Sequence, residues 1–498
     1  MVERYLLGID IGTSSTKTVV LRTDGQVIAS VAHEYAVDTP KAGWAEQDPD
    51  TWSSAAVRTI RAAVAQAGIS VDRIAGIGFT GQMHGLVCVD AAGKALRPAI
   101  IWADQRSRYE VAWVQDTLGK EGLARWTANP LAPGFMLPSW LWLRKNEPAV
   151  ARRTAHLLLP KDYVRFSFTG RIASEPSDAS STSLFDPRSR SWSVDLLDAL
   201  RIDPELLSPI GPSTGIAGEI TREVAIASGL RVGTPVVLGG SDQACQAFGQ
   251  GVIDPGVVSS TIGTGGQLLA PVVEPTCDPE LRLHLFCHVL TDLWHLEAAT
   301  LSAGLSLKWL REIAFPGASY QSMADLAAQA PAGAEGLYFL PHLVGERTPH
   351  MDVEARAGWI GLTVRHGQQH LIRAVMEGVV FSLRQGLELM LALGTQVEHV
   401  VASGGGIAHP LWLQLQADIF NRPVYLSGVR EAAAVGAALL AGLGVEIFPD
   451  ARAASRRALN QPAVVHEPDS SRAERYAHAY TIYQSLYPRL KDIPYEQP

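Results

Sequence analysis

Tyr5-Leu6-Leu7-Gly8-Ile9-Asp10-Ile11-Gly12-Thr13-Ser14-Ser15-Thr16-Lys17 is an apolar run of strand length that ends in small and hydroxylated residues. Tyr5 to Ile11 is too short for a helix and is bounded by turn formers, so it reads as a buried strand. Thr18 to Arg22 and Gln26 to Val31 read as two more strands, joined by Asp24-Gly25 as a two-residue hairpin turn. Gly12 to Lys17 is then a tight turn between buried strands, with backbone N–H groups and hydroxyls directed outward as a phosphate group requires. The pattern GxxxxGK followed by Ser or Thr is absent, so this turn is not a P-loop.

The same design returns halfway along the chain, in Val257-Val258-Ser259-Ser260-Thr261-Ile262-Gly263-Thr264-Gly265-Gly266-Gln267-Leu268-Leu269. Ile11-Gly12-Thr13 and Ile262-Gly263-Thr264 are matching triplets at the first turn of each half. They predict two related lobes, each presenting a phosphate-gripping hairpin to one cleft. Helical and extended patterns alternate elsewhere, which predicts α/β layers. Thr51 to Ala67, His370 to Leu393 and Pro410 to Phe420 carry helical spacing; Ile74 to Phe79, Leu86 to Val89, Pro235 to Leu238, Leu337 to Leu340 and Val397 to Ala402 read as strands. Ser208 to Gly218 reads as a surface loop, and the glycines and prolines of 249–256 mark the lobe boundary.

Composition narrows the function classes. The 498 residues suffice for two large domains, and 47% hydrophobic with 18% charged residues is an ordinary globular balance. A formal charge of −8 argues against nucleic acid or an anionic membrane as partner. The four cysteines form no metal-spaced cluster and read as reduced thiols, which points to the cytoplasm. No segment reads as a signal peptide or a membrane span.

Several residues are placed for chemistry. Asp10 sits in an apolar strand just before the first turn, where an ionised carboxylate either orients a magnesium ion through water or caps its own turn. Asp242 follows Gly239-Gly240-Ser241 at a strand-to-helix junction, a helix N-cap position from which a carboxylate can also accept a hydroxyl proton during phosphoryl transfer. Gly404, Gly405 and Gly406 stand between a strand and a helix, where bare backbone can meet a flat adenine or serve as a flexible turn. Gln82, Met83 and His84 offer amide, thioether and imidazole to sugar hydroxyls, or simply close a hairpin. Trp102, with Asp104 and Arg106, is either a carbohydrate-facing aromatic or a core Trp beside a surface ion pair. Glu346-Arg347-Thr348-Pro349, after the strand-like Leu337 to Leu340, is a second charged pair near the cleft or a structural ion pair, the latter favoured.

Taken in order, GIDIGTSSTK, GWAEQDPDTW, GFTGQMHG, IWADQRS, LPKDYVRFSFTG, SDASSTSLFD, GGSDQACQAFG, IGTGG, LPHLVGERTPH, SGGGIAHPLWLQLQADIFNRPV and EAAAVGAALLA resemble the FGGY family of carbohydrate kinases over nearly the whole chain. GQMHG is most like the family's xylulokinase branch. The resemblance implies an α/β fold of two actin-like (ribonuclease H-like) lobes, 1–251 and 252–498, with an ATP and sugar cleft between them. It implies Asp242 as catalytic base, with Asp10 and Asp242 on the magnesium side. Gly12, Thr13, Ser14 and Lys17 with Thr261, Gly263 and Thr264 would hold the ATP phosphates, and Gly404 to Gly406 the adenosine. Gln82, Met83, His84, Trp102, Asp242 and Gln243 would hold a ketopentose. ATP and Mg²⁺ are the expected cofactors, D-xylulose the expected substrate and D-xylulose 5-phosphate the product, in a homodimer. Ribulose, gluconate or an erythritol-like polyol, or an actin- or chaperone-like ATP switch, are the alternatives. The sequence departs from the family pattern at Gln243 for Asn, Ala103 within WND, and Ser181 for Gly.

Overall fold

The computed structural model describes residues 3–459 and 464–493. The first lobe starts with β1 (Tyr5–Ile11), β2 (Ser15–Arg22) and β3 (Val27–Glu34), followed by α1 (Pro49–Ala67) and β4 (Ile74–Gly81). Asp48 starts α1 by accepting the Asp50 N–H, Pro49 occupies its first turn, and Gly68 ends it in the left-handed region at φ 64°. After α2 (Pro160–Thr169), β5 (Ile216–Glu219) and β6 (Pro235–Val237) complete a sheet ordered β5-β6-β4-β1-β2-β3, with Gly240–Ser241 added beside β4.

Two expectations are corrected here. The first turn spans only residues 12–14, because Ser15, Thr16 and Lys17 already pair with β3, and Lys17 stands directly opposite Asp10 on β1. The 208–218 stretch is not wholly a surface loop: Ile216–Glu219 pairs with β6, and Ser208 and Ser213 are buried. This edge strand alternates no apolar side chains into a core, so periodicity could not reveal it.

The second lobe repeats the scheme. Behind α3 (Asp242–Gly249) come β7 (Gly256–Ile262), β8 (Gly266–Val272), β9 (His284–Cys287) and β10 (Trp294–Thr300). Then follow α4 (Gln368–Ala392), β11 (Val397–Gly404), α5 (Pro410–Phe420), β12 (Val424–Leu426), α6 (Ala432–Gly444) and β13 (Val465–His466). The sheet order is β9-β10-β8-β7-β11-β12-β13. Each lobe therefore centres on an antiparallel hairpin whose first strand has a parallel neighbour. Ile11 lies against Gly81 and Ile262 against Gly404, so both turns emerge at corresponding corners.

The lobes are joined by an exchange of helices. Along β1, Leu7, Ile9 and Ile11 pack toward α1, while Leu6, Gly8 and Asp10 face the other way by the two-residue alternation of a strand. On that second face lies α6, whose alanines share one core with Leu6, Val19 and Leu21. The approach is so close that a Cβ on Gly8 would stand 1.8 Å from the Ala434 carbonyl oxygen. In return, Ala247 of α3 packs with Val252 and Leu269 of the second lobe. No helix among the described residues is long and apolar enough to cross a membrane.

Candidate active site

A groove of about 1360 Å³ runs between the lobes, lined by Asp10, Lys17, Gln246, Ser403, Gly404 and Glu431 among others. The first turn follows Asp10 in the chain and is held by its own backbone and by Tyr35. Gly12 N–H donates to Ser15 O at 3.0 Å, Gly12 O accepts from Tyr35 Oη at 2.6 Å, and Ser14 O accepts the Tyr35 N–H. Thr13 is braced from the sugar side of the sequence: its Oγ1 accepts the Trp102 indole N–H at 2.8 Å and donates to Gln82 Oε1 at 3.4 Å.

The second turn is shaped by its own backbone, with Gly263 N–H donating to Gly265 O and Gly304 N–H to Gly263 O. Thr261 Oγ1 accepts from Gln246 Nε2 at 2.8 Å and shares a hydrogen bond with Ser403 Oγ at 2.9 Å. Gly263, Thr264, Gly405, Gly406, Tyr320 and Trp412 line a pocket of about 280 Å³ beside this turn. Gly404 adopts φ 79°, and a Cβ there would approach the Ile262 carbonyl oxygen to 2.7 Å, so the bare backbone is sterically required. Asp10 and Gly404 thus line the groove, while Gly263, Thr264, Gly405 and Gly406 line the smaller pocket.

The charge of Asp10 acts on the Asp242 carboxyl. Asp242 is the first residue of α3, and its Oδ1 accepts the Gln243 N–H at 2.8 Å. It keeps partial solvent contact at the cleft floor, yet burial pushes its carboxyl well above the usual range, and the charges of Asp10 and Glu297 push it further. Asp10 rises to about 7, first from burial, with Lys17 opposing and Glu431 adding to the shift. Lys17 Nζ lies 2.7 Å from Glu431. Asp10 Oδ1 is buried without a hydrogen-bond partner. Two repelling carboxylates, one with an orphaned oxygen, suit a cation. No three His, Cys, Asp or Glu residues among those described could hold a metal by themselves, so water and phosphate oxygens would supply the other ligands.

The backbone before Asp242 is held from behind. Glu175 accepts the N–H groups of Ser177 and Asp178 and the hydroxyls of Ser177 and Ser213, and Ser177 Oγ accepts the Ser241 N–H at 3.0 Å. Lys161, fully buried on α2, lies 2.7 Å from Asp162, 3.6 Å from Asp178 and 3.7 Å from Glu175.

At the other end of the cleft, Met83 is buried and the Gln82 amide donates to Gln47 Oε1 at 3.0 Å. His84 takes φ 72° and stacks on Phe135 with ring centroids 3.8 Å apart. Its N–H donates to Ser181 Oγ, and its Nδ1 lies 2.7 Å from Ser181 O. A carbonyl can only accept, so Nδ1 carries the proton and Nε2 keeps its lone pair. Burial pushes this imidazole down to about 3, so it stays neutral at physiological pH. The departure at Ser181 thus has a structural use: a glycine could not offer that hydroxyl. The Trp102 segment resolves differently from either reading. Asp104 and Arg106 are a buried pair, while Trp102 is 36% exposed at the rim.

The sequence reading missed Glu297 and His284, and it favoured a structural role for Arg347. Glu297 on β10, Arg347 and His284 on β9 lie in one electrostatic neighbourhood with His84 and Asp242. Of the Glu346-Arg347 pair, only Glu346 is structural. Its carboxylate accepts from Leu301 N–H and Arg347 N–H and meets His342 Nδ1 at 3.0 Å. Glu297 sits at a buried strand position that no local signal distinguishes from core.

Comparison with known proteins agrees along the chain. The N-terminal domain of the FGGY family of carbohydrate kinases matches residues 5–249, and its C-terminal domain matches residues 258–445. The xylulose kinase of Bacillus subtilis (strain 168) is 36% identical over 490 residues, 98% of either chain. Among solved structures, a ligand-bound xylulose kinase from Lactobacillus acidophilus superposes with TM-score 0.93 at 27% identity, covering 98% of this chain and 99% of that one. A gluconate kinase from the same organism gives TM-score 0.94, also at 27% identity, over 99% of both chains.

Proposed function

We infer the function from one premise: this chain belongs to the FGGY family of carbohydrate kinases, two lobes of α/β structure that use ATP to phosphorylate a sugar alcohol. Within that family we propose D-xylulose as substrate and D-xylulose 5-phosphate as product. The nearly full-length likeness to a xylulose kinase supports the substrate, and the shared neighbourhood of Asp10 and Asp242 is the observation that carries the mechanism. Family membership removes the argument for an ATP switch acting on a protein. Gluconate remains the second candidate, because a gluconate kinase superposes equally well.

In the proposed reaction the primary hydroxyl of the ketose attacks the γ-phosphorus of ATP in line, and Asp242 accepts its proton. The raised proton affinity of Asp242 suits that role. A magnesium ion, when bound, would neutralise charge on the transferring phosphoryl group, with Asp10 and Asp242 as its carboxylate side. Gly12, Thr13, Ser14, Thr261, Gly263 and Thr264 place the two turns against the phosphates, Lys17 adds its ammonium on the Asp10 side, and Gly404 to Gly406 form the adenosine segment, with Gly405 and Gly406 lining the pocket. Gln82, Met83, His84, Trp102 and Gln243 hold the sugar, with His84 Nε2 accepting from a hydroxyl. The lobes divide at 251/252 in this reading. Four free cysteines, with the Cys88 and Cys287 thiols pushed up to about 12 by burial, support a reducing cytoplasmic setting. A homodimer is the expected assembly, which a solution mass measurement tests.

The deciding experiment is sugar-dependent ADP release with D-xylulose, D-ribulose, L-ribulose, gluconate and glycerol side by side. D-xylulose should give the highest kcat/KM. Asp242→Asn should lower kcat by about 100-fold or more, the scale of a lost general base; near-normal turnover would remove Asp242 from the mechanism.

A further inference from the structure

We propose that Arg347 and Glu297 form a clamp on the polyhydroxyl chain of the substrate, with Arg347 setting sugar affinity. The inference rests on the sugar-kinase reading of this cleft and names two binding residues that reading does not include.

The Arg347 guanidinium makes no hydrogen bond or ion pair among the described residues. Its neighbour in sequence cannot serve, since Glu346 is occupied by Leu301, its own chain's Arg347 N–H, His342 and Ser382. Instead the Arg347 guanidinium lies 5.8 Å from the centroid of Phe135, the ring on which His84 stacks. Burial lowers its proton affinity, with Glu297 and Glu346 opposing. Its positive charge acts on both His84 and His284.

Glu297 is the complementary half. It is 5% exposed, and its Oε2 has no hydrogen-bond partner. Oε1 receives only a long bond from Gln267 Nε2 at 3.5 Å. His295 Nε2 stands 3.8 Å from Oε2, but burial holds that imidazole neutral. Glu297 and Arg347 influence each other electrostatically without closing a pair. Glu297 also acts on the Asp242 carboxyl, as Arg347 does on His84, so the two charges reach that carboxyl on one side and the His84–Phe135 stack on the other.

A buried carboxylate beside a partly exposed guanidinium that stops short of contact is costly unless something completes it. A chain of hydroxyls does so on both sides, accepting from the guanidinium fork and donating to the carboxylate. A ketose extended from Asp242 toward His84 would pass between them.

The test uses the intact enzyme in the ADP-release assay with Arg347→Gln, Arg347→Lys and Glu297→Gln. Arg347→Gln should raise the sugar KM by about 10- to 100-fold, the scale of lost charged hydrogen bonds, with a smaller fall in kcat and an unchanged KM for ATP. Arg347→Lys should recover part of the loss. A sugar KM for Arg347→Gln within about twofold of the parent overturns the clamp. If that variant does not fold, the near-isosteric Glu297→Gln decides: a sugar KM raised by about fivefold or more supports the clamp, and one within about twofold overturns it. Preference of the parent enzyme for gluconate over D-xylulose would sink the substrate reading alone, because the clamp is judged on the variants' KM for whichever sugar is turned over.

Discussion

Asp104 and Arg106 meet face to face: Arg106 Nε reaches both carboxylate oxygens at 2.9 and 3.0 Å, Nη2 reaches Oδ2 at 2.7 Å, and the guanidinium lies 3.6 Å over the Trp44 ring. Glu46 approaches Arg106 Nη1 at 2.7 Å, and the Ala45 N–H donates to Asp104. Glu297 and Arg347 are the same two kinds of group, Glu297 buried and Arg347 partly exposed, and they never close. The first pair is architecture: acid and guanidinium close on each other, and Arg106 Nη1, which makes no hydrogen bond, still meets the Glu46 carboxylate as an ion pair. The second is an arrangement whose missing partners point into the cleft. Burial of an acid beside a guanidinium therefore says little by itself; whether the two charges close on each other separates scaffold from site.

The contrast can be broken or sharpened by measurement. Asp104→Asn leaves Arg106 buried without its bidentate partner, so unfolding free energy should fall by about 3–5 kcal/mol, read from denaturant midpoints. A loss under about 1 kcal/mol would mean that the closed pair is not structural.

The open pair should show itself in pH dependence. Glu297 is raised from its usual 4.5 to about 7, chiefly by burial. Between those two values the folded chain holds a proton that the unfolded chain has released, so stability falls as pH rises through that window. The slope is at most about 1.4 kcal/mol per pH unit, and it vanishes above about 7. Glu297→Gln lacks this share, so its unfolding free energy should gain on the parent's as pH climbs from about 4.5 to about 7. Parallel curves for the two proteins would contradict an unpaired Glu297.

The smallest effect is expected where the charge has no protein partner. Arg347→Gln should change unfolding free energy by less than about 1 kcal/mol while its sugar KM moves, the reverse of Asp104→Asn. A large stability loss would place Arg347 with the scaffold.

Much of the fold was legible in sequence because it is local. β1 and α5 fall where apolar spacing and turn residues put them, at Tyr5–Ile11 and Pro410–Phe420. The helix after Gly239-Gly240-Ser241 starts at Asp242 itself rather than near Ala244, since an acid at a helix mouth can open the first turn as well as cap it. Lys17 was read into a turn because Ser15 and Thr16 look like loop residues, whereas cross-strand pairing with β3 draws all three into β2.

The amino-acid sequence by itself determined the two glycine-bounded hairpins, the alternating α/β order, and the acids at positions 10 and 242, since each is written in neighbouring residues. Tertiary structure alone decided that α6 lies against Gly8, that Ser181 orients His84, and that Glu297 and Arg347 stand open while Asp104 and Arg106 close. Those outcomes depend on which remote backbones approach within a few ångströms. No spacing along one strand or helix carries that information, because burial and hydrogen-bond completion are properties of the assembled surroundings.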